Sequence, residues 1–242
     1  MKGGSAVVVI LCSALAARAE GPAAMTATFV EGAVTVRPAG AEAPKPLAVG
    51  DVLHAGEMVE TSSAARAEIT FSNGSLLRLG EGSRMTLGGE DPAGSRFSAR
   101  LFVGNVWAKV RKLLASNEIF QVETENGVAG VRGTEFRVEA SPATEDVVRV
   151  YEGVVEVKGA RGWAHRIEPG HELLFHRERP PAGPRRFDPA SERGHRFMSW
   201  VRSRPERVVA PVKERVKERK KRKKQKLHER EWMRRELRGL KR

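Results

Sequence analysis

At 242 residues the chain has room for one domain of ordinary size with appendages, and its single cysteine excludes a fold held by disulfides within the chain. The net charge of +13 is unevenly spread: residues 1–176 hold 18 Lys and Arg against 21 Asp and Glu, whereas residues 177–242 hold 25 against 9. A near-neutral body of net −3 thus carries a tail of net +16, and like charge at that density stays hydrated or meets an anionic partner.

Residues 1–19 read as an export signal. Lys2 supplies the positive start, Ala6 to Ala16 the apolar stretch, and Ala17-Arg18-Ala19 a small-x-small cleavage site. The apolar stretch is shorter than the ~20 residues needed to span a bilayer. Cys12 follows Leu11 where a lipoprotein signal has a small residue, which argues against lipidation. Cleavage is expected after Ala19, leaving a periplasmic or secreted mature chain that begins at Glu20, with neither cysteine nor transmembrane helix.

Residues 26–176 alternate with period two. Ala67, Ile69 and Phe71 alternate with Arg66, Glu68 and Thr70; Val106, Ala108 and Val110 alternate with Trp107 and Lys109. Asn73-Gly74 and Asn126-Gly127 read as two-residue hairpin turns, and Glu152-Gly153 as a tight turn. Ten or more short strands with no amphipathic helix between them predict an all-β fold of antiparallel strands, as a sandwich, a barrel or a β-helix-like wrap. Trp107 is offset from the inward set of its strand, so it marks either a contact surface or a second covered face.

One run stands apart from this pattern. Gly127 to Phe136 reads Gly-Val-Ala-Gly-Val-Arg-Gly-Thr-Glu-Phe, with Gly127, Gly130 and Gly133 inside seven residues. Such density implies positive backbone dihedrals or close backbone approach. Arg132 and Glu135 are expected to pair across a tight corner, which makes Gly127, Gly130, Arg132, Gly133, Thr134, Glu135 and Phe136 a structural set ahead of a recognition surface.

This run resembles the hallmark of the FecR domain, a periplasmic sensing module of bacterial iron-dicitrate regulators. Blocks at Val49–Leu53, Ala55–Thr61 and Ala65–Gly80 are similar to that family's first half, and blocks at Gly104–Val110 and Val150–Val157 to its second. The likeness runs from about Phe29 to Phe175. It implies a compact all-β module in which successive hairpins wrap around one narrow core. It also implies a domain that binds an envelope protein or polymer. The family's signalling members add a cytoplasmic anti-sigma segment, a transmembrane helix and a small α/β domain. This sequence shows an export signal and a basic tail in their place, so relay to a sigma factor is not expected.

Residues 177–205, rich in Pro, Gly and Arg, read as a linker, in which Arg196 to Val201 carries Phe197, Trp200 and Val201 and could dock as one apolar turn. Residues 206–242 read as a basic helix with a thin apolar stripe. Lys217, Arg219, Lys220, Lys221, Arg222, Lys223, Lys224 and Lys226 form its anion-docking run. Anionic lipid, lipopolysaccharide or an acidic protein are the expected partners, with nucleic acid the rival. Because the alternation ends near Phe175, the chain is expected to fold unchanged when cut after Pro181. No catalytic constellation, cofactor motif or metal-ligand spacing is present in the sequence, the six histidines included, and iron-uptake regulation is implied by the resemblance alone.

Overall fold

A computed structural model describes residues 25–71, 73–90, 96–111, 119–159, 161–192 and 194–204. The export signal at 1–19 and the basic tail at 206–242 lie outside these residues. The first half of the body contains β1 (Met25–Glu31), β2 (Val34–Arg37), β3 (Lys45–Pro46), β4 (Val52–Leu53), β5 (Met58–Thr61), β6 (Arg66–Phe71), β7 (Leu76–Leu79), β8 (Arg84–Glu90) and β9 (Arg96–Lys109). The second contains β10 (Ile119–Glu123), β11 (Gly127–Val131), β12 (Glu135–Ala140), β13 (Asp146–Glu152), β14 (Val155–Gly159), β15 (Ala164–Ile167), β16 (His171–Phe175) and β17 (Arg185–Arg186). Among the described residues one α-helix, α1 (Arg196–Ser203), follows.

The all-β expectation holds, and the architecture is two sheets that share β9. One sheet runs β4-β1-β6-β7-β9-β12-β13-β16-β17. The other runs β3-β2-β5-β8-β9-β10-β11-β14-β15. Strand β9 crosses between them at Gly104, whose φ of 102° suits a residue without a side chain. From β10 onward the chain places two strands in one sheet, then two in the other, so hairpins wrap the core in turn. One pairing departs from the antiparallel expectation. Strands β9 and β10 run parallel, Phe97 opposite Phe120, because the chain re-enters the second sheet beside the beginning of β9.

Alternating side chains fill the space between the sheets. Phe71, Phe97 and Phe120 meet edge-on at its centre, with ring centroids 5.1 and 6.2 Å from Phe71. Each fully buried aromatic or aliphatic side chain contributes ~1.5–3 kcal/mol over its exposed state. The expected turns form with shifted boundaries. At Asn73-Gly74 the closing bond runs from Phe71 N–H to Ser75 O (2.8 Å), one residue wider than a two-residue turn. At Asn126-Gly127 the turn moves back by one, because Thr124 Oγ1 accepts from the N–H groups of both Asn126 and Gly127. Gly127 thereby enters β11.

The stretch 177–205 is more than a linker. Strand β17 pairs with β16, Pro189–Glu192 makes a 3-10 turn, and α1 lies against the outer face of the first sheet. The docking foreseen for Arg196–Val201 is there: Phe197, Met198, Trp200 and Val201 pack on Leu76 and Trp107, with Phe29 and Tyr151 at the margin. Trp107 is therefore core of a covered second face. We call this the covered sheet and its partner the open sheet. Covering explains why every residue of β7 is buried, outward Arg78 included. It also bears on the expectation that everything after Pro181 is dispensable, since α1 adds four buried side chains to an apolar cluster.

Two buried arginines anchor the 3-10 turn and α1 on the covered sheet. Arg78, 1% exposed, donates Nε to Glu68 (2.8 Å), Nη1 to the carbonyl of Val201 (2.6 Å) and Nη2 to that of Arg204 (3.3 Å). It thereby satisfies carbonyls at the helix C-terminus that have no intrahelical partner. Arg137 donates Nη1 to Glu192 at 3.0 Å, and the Tyr151 hydroxyl donates to the other Glu192 oxygen at 2.8 Å.

Candidate binding site on the open sheet

The seven motif residues fall on three sides of one corner. Gly127 faces the core, where a Cβ would lie 2.8 Å from the Lys158 carbonyl oxygen. Phe136 is fully buried between the sheets. Between them Arg132, Gly133 and Thr134 carry the chain from the open sheet to the covered one. Gly133 has φ 72°, in the left-handed region, and its carbonyl is only 2.6 Å from where a Cβ on Gly153 (φ 78°) would sit. Two sheet-crossing corners thus meet backbone to backbone. Thr134 is buried, and its carbonyl accepts from Val110 N–H at 2.9 Å.

The expected Arg132–Glu135 pair does not form. Glu135 lies on the covered sheet opposite Lys109, with Oε2 3.5 Å from Nζ. Arg132 precedes the corner, is exposed, and makes no hydrogen bond or ion pair with any described residue. The corner reverses sheet identity between the two residues and so separates their side chains.

Arg132 lines a cleft of about 870 Å³ on the outer face of the open sheet. Cross-strand register builds its floor. Gln121 lies opposite Gly130, Gly130 opposite Glu156, and Glu156 opposite Arg166, across β10, β11, β14 and β15. Partners in register share a face, so Gly130 is a bare position between larger side chains. No steric demand keeps it bare, since a Cβ there would meet only the Glu156 carbonyl oxygen at 3.8 Å. Half-buried Ile119, Val128 and Val154 give the cleft an apolar lining. Lys158 Nζ holds Glu156 at 3.0 Å, whereas Arg166, like Arg132, makes no ion pair with a described residue. The cleft therefore combines apolar surface with two unengaged guanidinium groups.

Sequence reasoning did not single out Arg166, Lys158 or Gln121, because nothing local distinguishes them from other outward strand residues. Nor did it single out Arg78 and Arg137, whose outward position on alternating strands reads as solvated. The docking run Lys217, Arg219, Lys220, Lys221, Arg222, Lys223, Lys224 and Lys226 lies outside the described residues.

These features define a two-sheet all-β module whose motif corner opens onto a cleft. Residues 57–156 match the family model described as FecR protein. Two crystal structures of a candidate anti-sigma factor from Parabacteroides distasonis ATCC 8503, at 2.50 and 1.65 Å resolution, are similar in fold. Each aligns with a TM-score of 0.50 and 17% identity over 60% of this chain. The alignment spans 64% and 65% of those chains, just under two thirds of their length. No curated protein matches the chain. Among the described residues, no helix is long and apolar enough to cross a membrane.

Proposed function

We propose that this is an exported, non-enzymatic FecR-domain protein that senses or scaffolds in the cell envelope. The open-sheet cleft engages an envelope protein or polymer, and the basic tail docks on an anionic surface. The observation that carries this reading is Arg132. It is the basic residue of the motif, yet it makes no hydrogen bond or ion pair with a described part of the fold and stands exposed at the cleft. A guanidinium kept free of intramolecular pairing is available to a ligand. The described neighbours point the same way, in that the similar structures are those of a candidate anti-sigma factor, a regulatory protein.

A photo-cross-linking side chain in place of Gln121 tests the cleft in the native host's envelope fraction. Cross-links should form and should vanish when Arg132→Glu is added, with the melting temperature unchanged. Cross-links that survive Arg132→Glu would remove the cleft from the function. A fall of several degrees in the melting temperature would return Arg132 to the structural role.

A further inference from the structure

We infer that the cleft takes an extended acidic peptide segment, bridging Arg132 and Arg166 with two carboxylates and laying an apolar side chain against Val154. The inference rests on the cleft being the binding site and goes on to identify its occupant.

Spacing makes the case. Arg166 stands in the same cross-strand row as Gly130, two strands away through Glu156. Arg132 lies two residues further along β11 than Gly130. With strands ~4.8 Å apart and ~3.3 Å per residue, the two arginine backbones are about 12 Å apart. An extended peptide covers that distance in four residues, ~13 Å, and residues i, i+2 and i+4 of such a peptide face the same way. An acidic residue at each end therefore brings an apolar residue between them, above β14 between Glu156 and Val154, with bare Gly130 leaving the floor open to one side. Half-buried Val154 supplies its nearest apolar contact.

Charge agrees with the spacing. Both arginines lack an ion pair with any described residue, whereas Glu156, the acid between them, is already held by Lys158 at 3.0 Å. A guanidinium presents paired donors that match a carboxylate. The apolar floor selects a polypeptide over a uniformly charged polysaccharide, because an uninterrupted polyanion would leave Ile119, Val128 and Val154 uncovered.

The probe is the blocked peptide Glu-Thr-Val-Thr-Glu, titrated calorimetrically against the full mature chain at low salt, with Gln-Thr-Val-Thr-Gln as control. The acidic peptide should bind and the control should not. Arg132→Ala and Arg166→Ala should each weaken binding about tenfold, the loss of one charge-assisted contact. Glu156→Gln should strengthen it. Each variant should keep the parent melting temperature. Equal binding of both peptides, or indifference to either arginine, would overturn the inference. Polygalacturonate that binds tightly and displaces the peptide would identify the occupant as a polyanion instead. If neither probe binds while the Gln121 cross-links still depend on Arg132, the cleft stands as a site and the acidic-peptide assignment fails.

Discussion

At the scale of single residues, the motif divides into positions that hold the fold and one that does not. Gly133 sits at φ 72°, where a side chain on Cα costs ~1–2 kcal/mol. Gly133→Ala should lower stability by about that much in urea titrations, while Gly130→Ala should change it little, having only one ordinary contact to meet. Arg78 is the opposite of Arg132. Removing it leaves Glu68, 3% exposed, without its closest cation and frees two carbonyls at the end of α1. Arg78→Ala should therefore cost ~3–5 kcal/mol, the usual penalty for breaking a buried pair. Adding Glu68→Gln should recover part of that loss, which a double-mutant cycle would measure. His195, next to α1, titrates below its ordinary 6.5, first because burial disfavours its cation and then because Arg137 does, with Nη2 3.2 Å from the ring. Glu139 and Glu192 oppose the effect without reversing it. The unfolded chain thus takes up the proton first as pH falls. The contribution of neutral His195 is complete above the unfolded value and is lost as pH drops through it toward the folded one. His195→Gln should lose less stability than the parent between about pH 7 and pH 5, where histidine titrates.

At the scale of elements, α1 decides where the domain ends. Its eight residues bury four apolar side chains against the covered sheet and supply the carbonyls that Arg78 needs. A chain cut after Arg204 should melt with the full mature protein, whereas one cut after Pro181 should melt at least ~10 °C lower. The shift follows from several kcal/mol of lost burial at 2–4 °C per kcal/mol for a domain of this size. Equal melting of the two truncated chains would show that α1 rests on the sheet without stabilising it. The same element explains a sequence pattern. Strand β7 reads Leu-Leu-Arg-Leu, and the step Leu77-Arg78-Leu79 normally means one dry face and one wet face. Here both faces are dry, and the arginine is tolerated because a carboxylate and two carbonyls meet it.

At the scale of the whole molecule, the cleft and the origin of the basic tail face away from each other. The cleft lies on the outer face of the open sheet, and α1 with Arg204 lies on the outer face of the covered one. A protein held to an anionic surface from the Arg204 side would present its cleft outward, so both contacts can be made at once. The tail's attraction should be electrostatic and therefore screened by salt. The full mature chain should bind vesicles containing anionic lipid at low salt and release them at several hundred millimolar, a range in which the Debye length falls below ~8 Å. The chain cut after Arg204 should not bind at either salt level. Retention of both chains alike would make the tail a solvated appendage. Mass spectrometry of the native protein should find Glu20 as the first residue, and an intact Met1 would withdraw the export assignment.

The sequence by itself determined the fold class and much of the path. Period-two alternation needs only neighbouring residues, so Ile69, Phe71, Val106 and Phe136 were identifiable as core, and the motif blocks in order marked the span that matches the FecR family. Turn positions were legible to within a residue because Asn-Gly pairs act locally, although Thr124 moved one of them by a hydrogen bond its neighbours do not announce. Only the tertiary structure decided which outward face is covered, since that depends on α1 arriving from more than a hundred residues beyond Arg78. It alone also decided the fate of Arg132 and Glu135. Three residues apart in the chain, they lie on opposite sides of a corner that changes sheets, so the pairing that local spacing suggests is forbidden by the crossing of the backbone.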